Sequence, residues 1–149
     1  MKYAAEELLT LRQRLVFKNE SAMCQAFWKQ ILHFHQLNKI SGEFAIFRTG
    51  NEQAQGGKRG MIAQVMEQRM GTLKGVPDYH IPGIGWLEAK RYVWNEKNQR
   101  IDKTYLSKDQ RRFQAEALMR DEEYGTFRTP DEGIAILMEW GIISNVKFC

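Results

Sequence analysis

Only two cysteines, three histidines and three prolines occur among the 149 residues. Cys24 and Cys149 are too few to make a disulfide framework, so a reducing compartment is expected. No CxxC or HExxH spacing occurs, which argues against a structural zinc site. His33 and His35 sit two apart in a helical stretch and point in different directions; with His80 they read as surface or core residues. No Pro/Ser-rich linker, repeat or low-complexity segment divides the chain, and its length suits one domain. No apolar run approaches the ~18 residues of a membrane span, and no signal-type stretch follows Met1-Lys2. The formal net charge of +4 is a weak pointer to nucleic acid. Composition thus describes a soluble, mildly basic cytoplasmic domain without a membrane partner.

What is present has a clear order. Leu8, Leu9, Leu11 and Leu15 among charges predict an amphipathic helix over residues 3–16. Asn19-Glu20-Ser21 opens a second, carrying Phe27, Trp28, Ile31, Leu32 and Phe34 to about Leu37. Phe44-Ala45-Ile46-Phe47 suits a buried strand. Residues 50–60 read as a polar loop, and a helical pattern over 61–70 stops at Gly71. Strand candidates at 76–81 and 86–90 flank Pro82-Gly83-Ile84-Gly85, which predicts an antiparallel hairpin. Residues 93–100 extend the second strand into a polar turn. Ser107 to Gln110 has capping-box spacing ahead of Phe113, Ala117 and Leu118. A short strand at 125–128 and a helix from Thr129-Pro130 to Gly141 close the chain.

The chemistry concentrates in the hairpin. Residues two apart on a strand share a face, so Glu88 and Lys90 project together, with Asp78 beside them on the neighbouring strand. Adjacent carboxylates repel, and a hard divalent cation relieves the repulsion. A lysine alongside can orient or deprotonate water and stabilise charge on a phosphate. Trp86 and Leu87 mark a strand suited to burial, where charges need a partner, a metal or a cleft. Glu-x-Lys on an exposed strand is otherwise an ordinary solvated charge face.

Gly75-Val76-Pro77-Asp78, then Glu88-Ala89-Lys90, then Leu106-Ser107-Lys108-Asp109-Gln110 resembles the PD-(D/E)xK nuclease pattern. More narrowly it resembles the virus-type replication-repair nuclease (VRR-NUC) family of phages and prophages. The resemblance runs from about Asn19 to Gly141 and is most specific from Gly75 to Gln110. Phe47-Arg48-Thr49-Gly50-Asn51 is similar to the family's polar loop, and residues 125–140 to its closing strand and helix. It implies an α/β, restriction-endonuclease-like core with a mixed central sheet flanked by helices. Residues 19–149 would form that nuclease domain, with residues 1–18 as an N-terminal helical extension. It also implies a Mg²⁺- or Mn²⁺-dependent DNA endonuclease acting on branched or junction DNA in replication and repair, and a homodimer.

By position, the resemblance makes Asp78 and Glu88 metal ligands, the Ala89 carbonyl a backbone ligand, and Lys90 the catalytic lysine. Gln110 matches a glutamine near the active site, although a capping role explains it equally. Gln25 matches a glutamine that an acid usually precedes, yet Cys24 stands there. Glu20, one turn earlier, either supplies the missing metal ligand or is a first-turn acid favoured by the helix dipole. The interval from Lys90 to Leu106 exceeds the family's usual link, so a hairpin-like insertion placed to touch DNA is expected.

From Arg91 to Arg112, seven basic residues face three acidic ones, an excess equal to the whole chain's net charge. Arg91, Lys108 and Arg111 there, with Arg48, Lys58, Arg59 and Lys74 as a second rim, are the expected phosphate contacts. Tyr92, Trp94 and Tyr105 read either as base-stacking or as structural aromatics. The rival readings are a catalytically inactive DNA-binding module on the same fold, and a protein-interaction module.

Overall fold

The structure is a computed structural model that describes residues 4–50, 62, 65, 66, 69, 71 and 73–144. Its named helices are α1 (Ala5–Leu15), α2 (Glu20–Gln36), α3 (Lys108–Met119) and α4 (Pro130–Glu139). Its strands are β1 (Phe47–Arg48), β2 (Tyr79–Ile81), β3 (Gly85–Ala89), β4 (Tyr92–Asn95), β5 (Arg100–Lys103) and β6 (Glu123–Phe127). The chain is therefore α/β, with a mixed sheet in the order β1-β2-β3-β6. β1–β2 and β2–β3 pair antiparallel and β3–β6 parallel, while β4 and β5 form a separate two-stranded sheet. None of the helices found among the described residues is long and apolar enough to cross a membrane.

Alternation along β3 and β6 assigns the two faces of the sheet. Leu87, Ala89 and Phe127 are fully buried on one face, together with Tyr79 of β2. There α2 contributes Met23, Phe27 and Ile31, spaced four apart, so that they share one stripe of the helix. The Phe27 ring lies 4.6 Å from Phe127 and 5.2 Å from Tyr79. α4 covers the same face: a Cβ on Gly133 would strike the Phe27 ring at 2.6 Å, so only glycine permits this approach. The opposite face carries Trp86, Glu88 and Tyr124, and α3 packs there through Phe113, 4.9 Å from the Trp86 ring.

Local signals set the element ends. Asn19, Ser107 and Thr129 accept from the backbone amides of Ala22, Gln110 and Glu132, capping α2, α3 and α4. Pro130 opens α4, and Gly141, at φ +77°, follows its end in the left-handed conformation.

Several expectations need correction. The run 44–47 is not a buried strand: β1 is only Phe47–Arg48, and Phe44 is 72% exposed ahead of a fully buried Ile46. Leu32 and Leu118 belong to exposed helix faces, because the buried stripes pass through Ile31 and Ala117. Residues 93–100 do not extend β3. They enter the β4–β5 hairpin, which is the insertion the interval after Lys90 suggests. α1 forms as expected but has no fully buried residue. Ile62, Val65, Met66 and Arg69 are helical, and the rest of the 61–70 pattern lies outside the described residues, apart from Gly71 beyond it.

Candidate metal centre

The β2–β3 hairpin places Asp78 opposite Glu88, one step beyond the Tyr79–Leu87 pair. Asp78 is held from two sides. Its Oδ2 accepts from the Ala89 amide at 2.8 Å, while its backbone carbonyl accepts from the Thr49 amide at 2.9 Å. The Thr49 hydroxyl also donates to the Pro77 carbonyl at 2.7 Å, so the end of β1 fixes the Pro-Asp turn. In an extended strand the N–H and C=O of one residue point to the same neighbour. The Ala89 carbonyl is thus directed to the Asp78 side, whereas the Lys90 amide bonds across to Phe127.

Glu88 is 3% exposed. Its Oε1 accepts from Gln110 Nε2 at 2.9 Å. The same Gln110 accepts from the Ser107 amide through Oε1 at 2.8 Å, closing the capping box of α3. The two roles read for Gln110 are therefore simultaneous, one for each end of its amide. Gly75, at φ +86°, lets the motif turn meet this helix start: a Cβ there would lie 2.5 Å from the Asp109 carbonyl carbon.

Glu20, the first residue of α2, completes the cluster. One carboxylate oxygen each from Glu20, Asp78 and Glu88 lie within 4.8 Å of one another. That is close to the spacing of oxygens that share one ion at ~2.0–2.5 Å from each. Burial pushes the Glu88 carboxyl up to about 9, with the Asp78 charge adding to the shift and Lys90 opposing it. Glu20 is raised in the same way, by burial and then Asp78, with Lys90, Arg48 and Arg91 pulling it down. Three hard oxygen donors gathered this closely suit a divalent cation, and this donor set fits one.

Cys24, one turn after Glu20, is buried, its thiol raised to about 11 by burial and then by the Asp78 charge, and it is not in the group of converging ligand atoms.

The basic residues divide. Arg48 is half-buried over the Tyr79 ring, 5.8 Å from its centroid, and its charge reaches Glu20; it belongs to the centre rather than to an outer rim. Arg91 is half-buried and donates to the Phe17 carbonyl at 3.2 Å. Lys74, Lys108 and Arg111 are exposed, the last two on the first turn of α3 beside Gln110. Arg100 and Arg112 are paired with Asp102 and Asp109. Lys58 and Arg59 lie outside the described residues. Tyr92 and Tyr105 flank Arg128 at 5.9 and 5.5 Å, a structural arrangement, whereas Trp94 lies under Arg12.

Sequence reasoning missed Thr49 and Arg128. Arg128 Nη1 donates to the Lys90 and Thr104 carbonyls, tying both ends of the β4–β5 insertion to the sheet. A cation between buried Phe127 and the helix cap Thr129 was the available signal. Comparison with protein-family models, characterised proteins and solved structures finds no match.

Proposed function

We propose that this protein is a metal-dependent DNA endonuclease with a restriction-endonuclease-like core of the VRR-NUC type. The observation that carries the reading is the convergence of Glu20, Asp78 and Glu88 from three separate segments, with Ala89, Lys90 and Gln110 around them. Glu20 stands where it can supply the helix acid that Cys24 does not, which favours the enzyme over the inactive-module alternative. Its position on α2, next to two hairpin carboxylates, agrees with the order of the resemblance.

Glu20, Asp78, Glu88 and the Ala89 carbonyl would hold Mg²⁺ or Mn²⁺. When bound, the ion supplies Lewis acidity toward a phosphodiester and a water molecule. Gln110, at the start of α3, holds Glu88 in place from the sheet face that this helix covers. Lys90 lies close enough to act on the Glu88 carboxylate, and there it stabilises the negative charge that gathers on the phosphoryl oxygens. Its backbone is fixed at both ends, by Phe127 and Arg128, so its side chain starts from a rigid position. Exposed Lys74, Lys108 and Arg111 offer sequence-independent contacts to a DNA backbone. The resemblance further suggests branched DNA as substrate and two copies facing a symmetric junction.

The test is cleavage of plasmid and junction DNA with Mg²⁺ or Mn²⁺, comparing wild type with Asp78→Ala and Lys90→Ala. Metal-dependent cleavage lost in both variants is expected. Salt-sensitive DNA binding without cleavage under either metal returns the reading to the inactive module, and absence of any DNA binding favours a protein-interaction role.

A further inference from the structure

A groove of about 710 Å³ opens between α1 and the β4–β5 hairpin, both outside the family resemblance. Leu9, Val16, Phe17, Val93 and Trp94 give it apolar walls. Arg12, Lys18 and Arg91 line it as well, against the single carboxylate of Glu96. That carboxylate accepts from the indole N–H of Trp94 at 2.7 Å, which anchors the ring edge. The guanidinium of exposed Arg12 lies over the ring, 4.4 Å from its centroid.

The groove adjoins the carboxylate cluster through the chain itself. Lys18 is two residues from Glu20 and Arg91 one from Lys90, so at most ~7 Å of chain separates either cation from the centre. Arg91 spends one of its donors on the Phe17 carbonyl and keeps others for an acceptor in the groove. Lys18 is exposed beside it.

We infer that this groove is a subsite for one unpaired nucleotide of the substrate strand, with its phosphate on Arg91 and Lys18 and its base on the Trp94–Arg12 shelf. The volume is that of a small-ligand site. An indole face with a movable guanidinium is a sequence-tolerant stacking platform, and a base reaches it only when it has left the duplex. The groove therefore selects DNA with a single-stranded segment next to the scissile phosphate. This inference rests on the nuclease reading for the identity of the polymer, but its test does not depend on cleavage.

The probe is a fluorescein-labelled oligothymidylate, titrated with full-length protein in EDTA and followed by anisotropy, with a blunt duplex of equal length alongside. Wild type should bind the single strand more tightly. Trp94→Ala and Lys18→Ala should each weaken that binding about tenfold, and Trp94→Phe should restore much of it. Thermal melting checks that each variant is folded, and Trp94→Phe covers the case where Trp94→Ala is not. Failure of wild type to bind the single strand overturns the subsite, as does equal binding by the folded Trp94→Ala, Trp94→Phe and Lys18→Ala variants. Asp78→Asn should retain single-strand binding while losing cleavage. A protein that binds in this Trp94-dependent way but never cleaves would sink the nuclease reading and leave the subsite standing.

Discussion

Glu88 is a carboxylate with almost no access to water, facing Asp78 across a strand pair and Glu20 across a helix start. Without a cation, these neighbours favour its neutral form. Its carboxyl is raised to about 9, against an unfolded chain that releases the same proton near 4.5. The folded state thus binds the proton more tightly. Glu88's contribution to stability is fully present below about pH 4.5 and is lost as pH rises toward 9. Glu88→Gln removes the charge and keeps an oxygen to accept from Gln110. In a chelator, the variant should gain stability relative to wild type as pH rises from 5 to 9, by roughly 1–3 kcal/mol at the upper end. Urea melts at several pH values measure this. A difference that stays flat with pH would show that Glu88 titrates normally.

At the scale of elements, the centre depends on a meeting between the turn at residues 75–78 and the first turn of α3. Gly75 is the point of contact, with its Cα against the Asp109–Gln110 backbone at a positive φ. Gly75→Ala forces a side chain into the left-handed region and into that backbone together. The expected cost is about 1–3 kcal/mol of stability. The helix start should shift, and the Gln110–Glu88 bond with it, so bound Mn²⁺ should weaken as well. Calorimetric titration of the folded variant checks the second effect; unchanged affinity would mean that α3 does not position Glu88. The β2–β3 hairpin was legible because its turn, its strands and its charges are contiguous in the chain. The capping box of α3 was legible for the same reason. Glu20 was legible only as one of two readings, because a first-turn acid satisfies the helix dipole wherever the helix goes. What brings it to Asp78 is the packing of Phe27 on Tyr79 and Phe127, between residues far apart in sequence. The short β1 was misjudged because an apolar run records burial, and Ile46 is buried from a bend rather than from a strand.

Across the whole molecule, the three carboxylates stand on segments that fold onto one another only in the native state. Glu20 heads α2, which joins α4 on one face of the sheet, while Asp78 and Glu88 lie on the central hairpin and Gln110 reaches Glu88 from the other face. A cation bound here would clip α2 to the hairpin across a long intervening stretch of chain. The unfolded chain has no such cluster, so binding must stabilise the fold by linkage, and the effect must depend on all three carboxylates. At a free Mn²⁺ concentration of about 100 times the dissociation constant, the gain is ~2.7 kcal/mol. For a domain of this size that raises Tm by roughly 5–10 °C. The gain should shrink as pH falls toward 5, because protons compete with the cation for the Glu20 and Glu88 carboxyls, whose proton affinity burial and the Asp78 charge raise. Thermal melts with increasing Mn²⁺ test this in wild type, Glu20→Gln and Asp78→Asn. Saturable stabilisation in wild type, reduced in Glu20→Gln and abolished in Asp78→Asn, is expected. If Glu20→Gln responds like wild type, the helix acid is only a dipole partner and the centre has two carboxylate ligands rather than three.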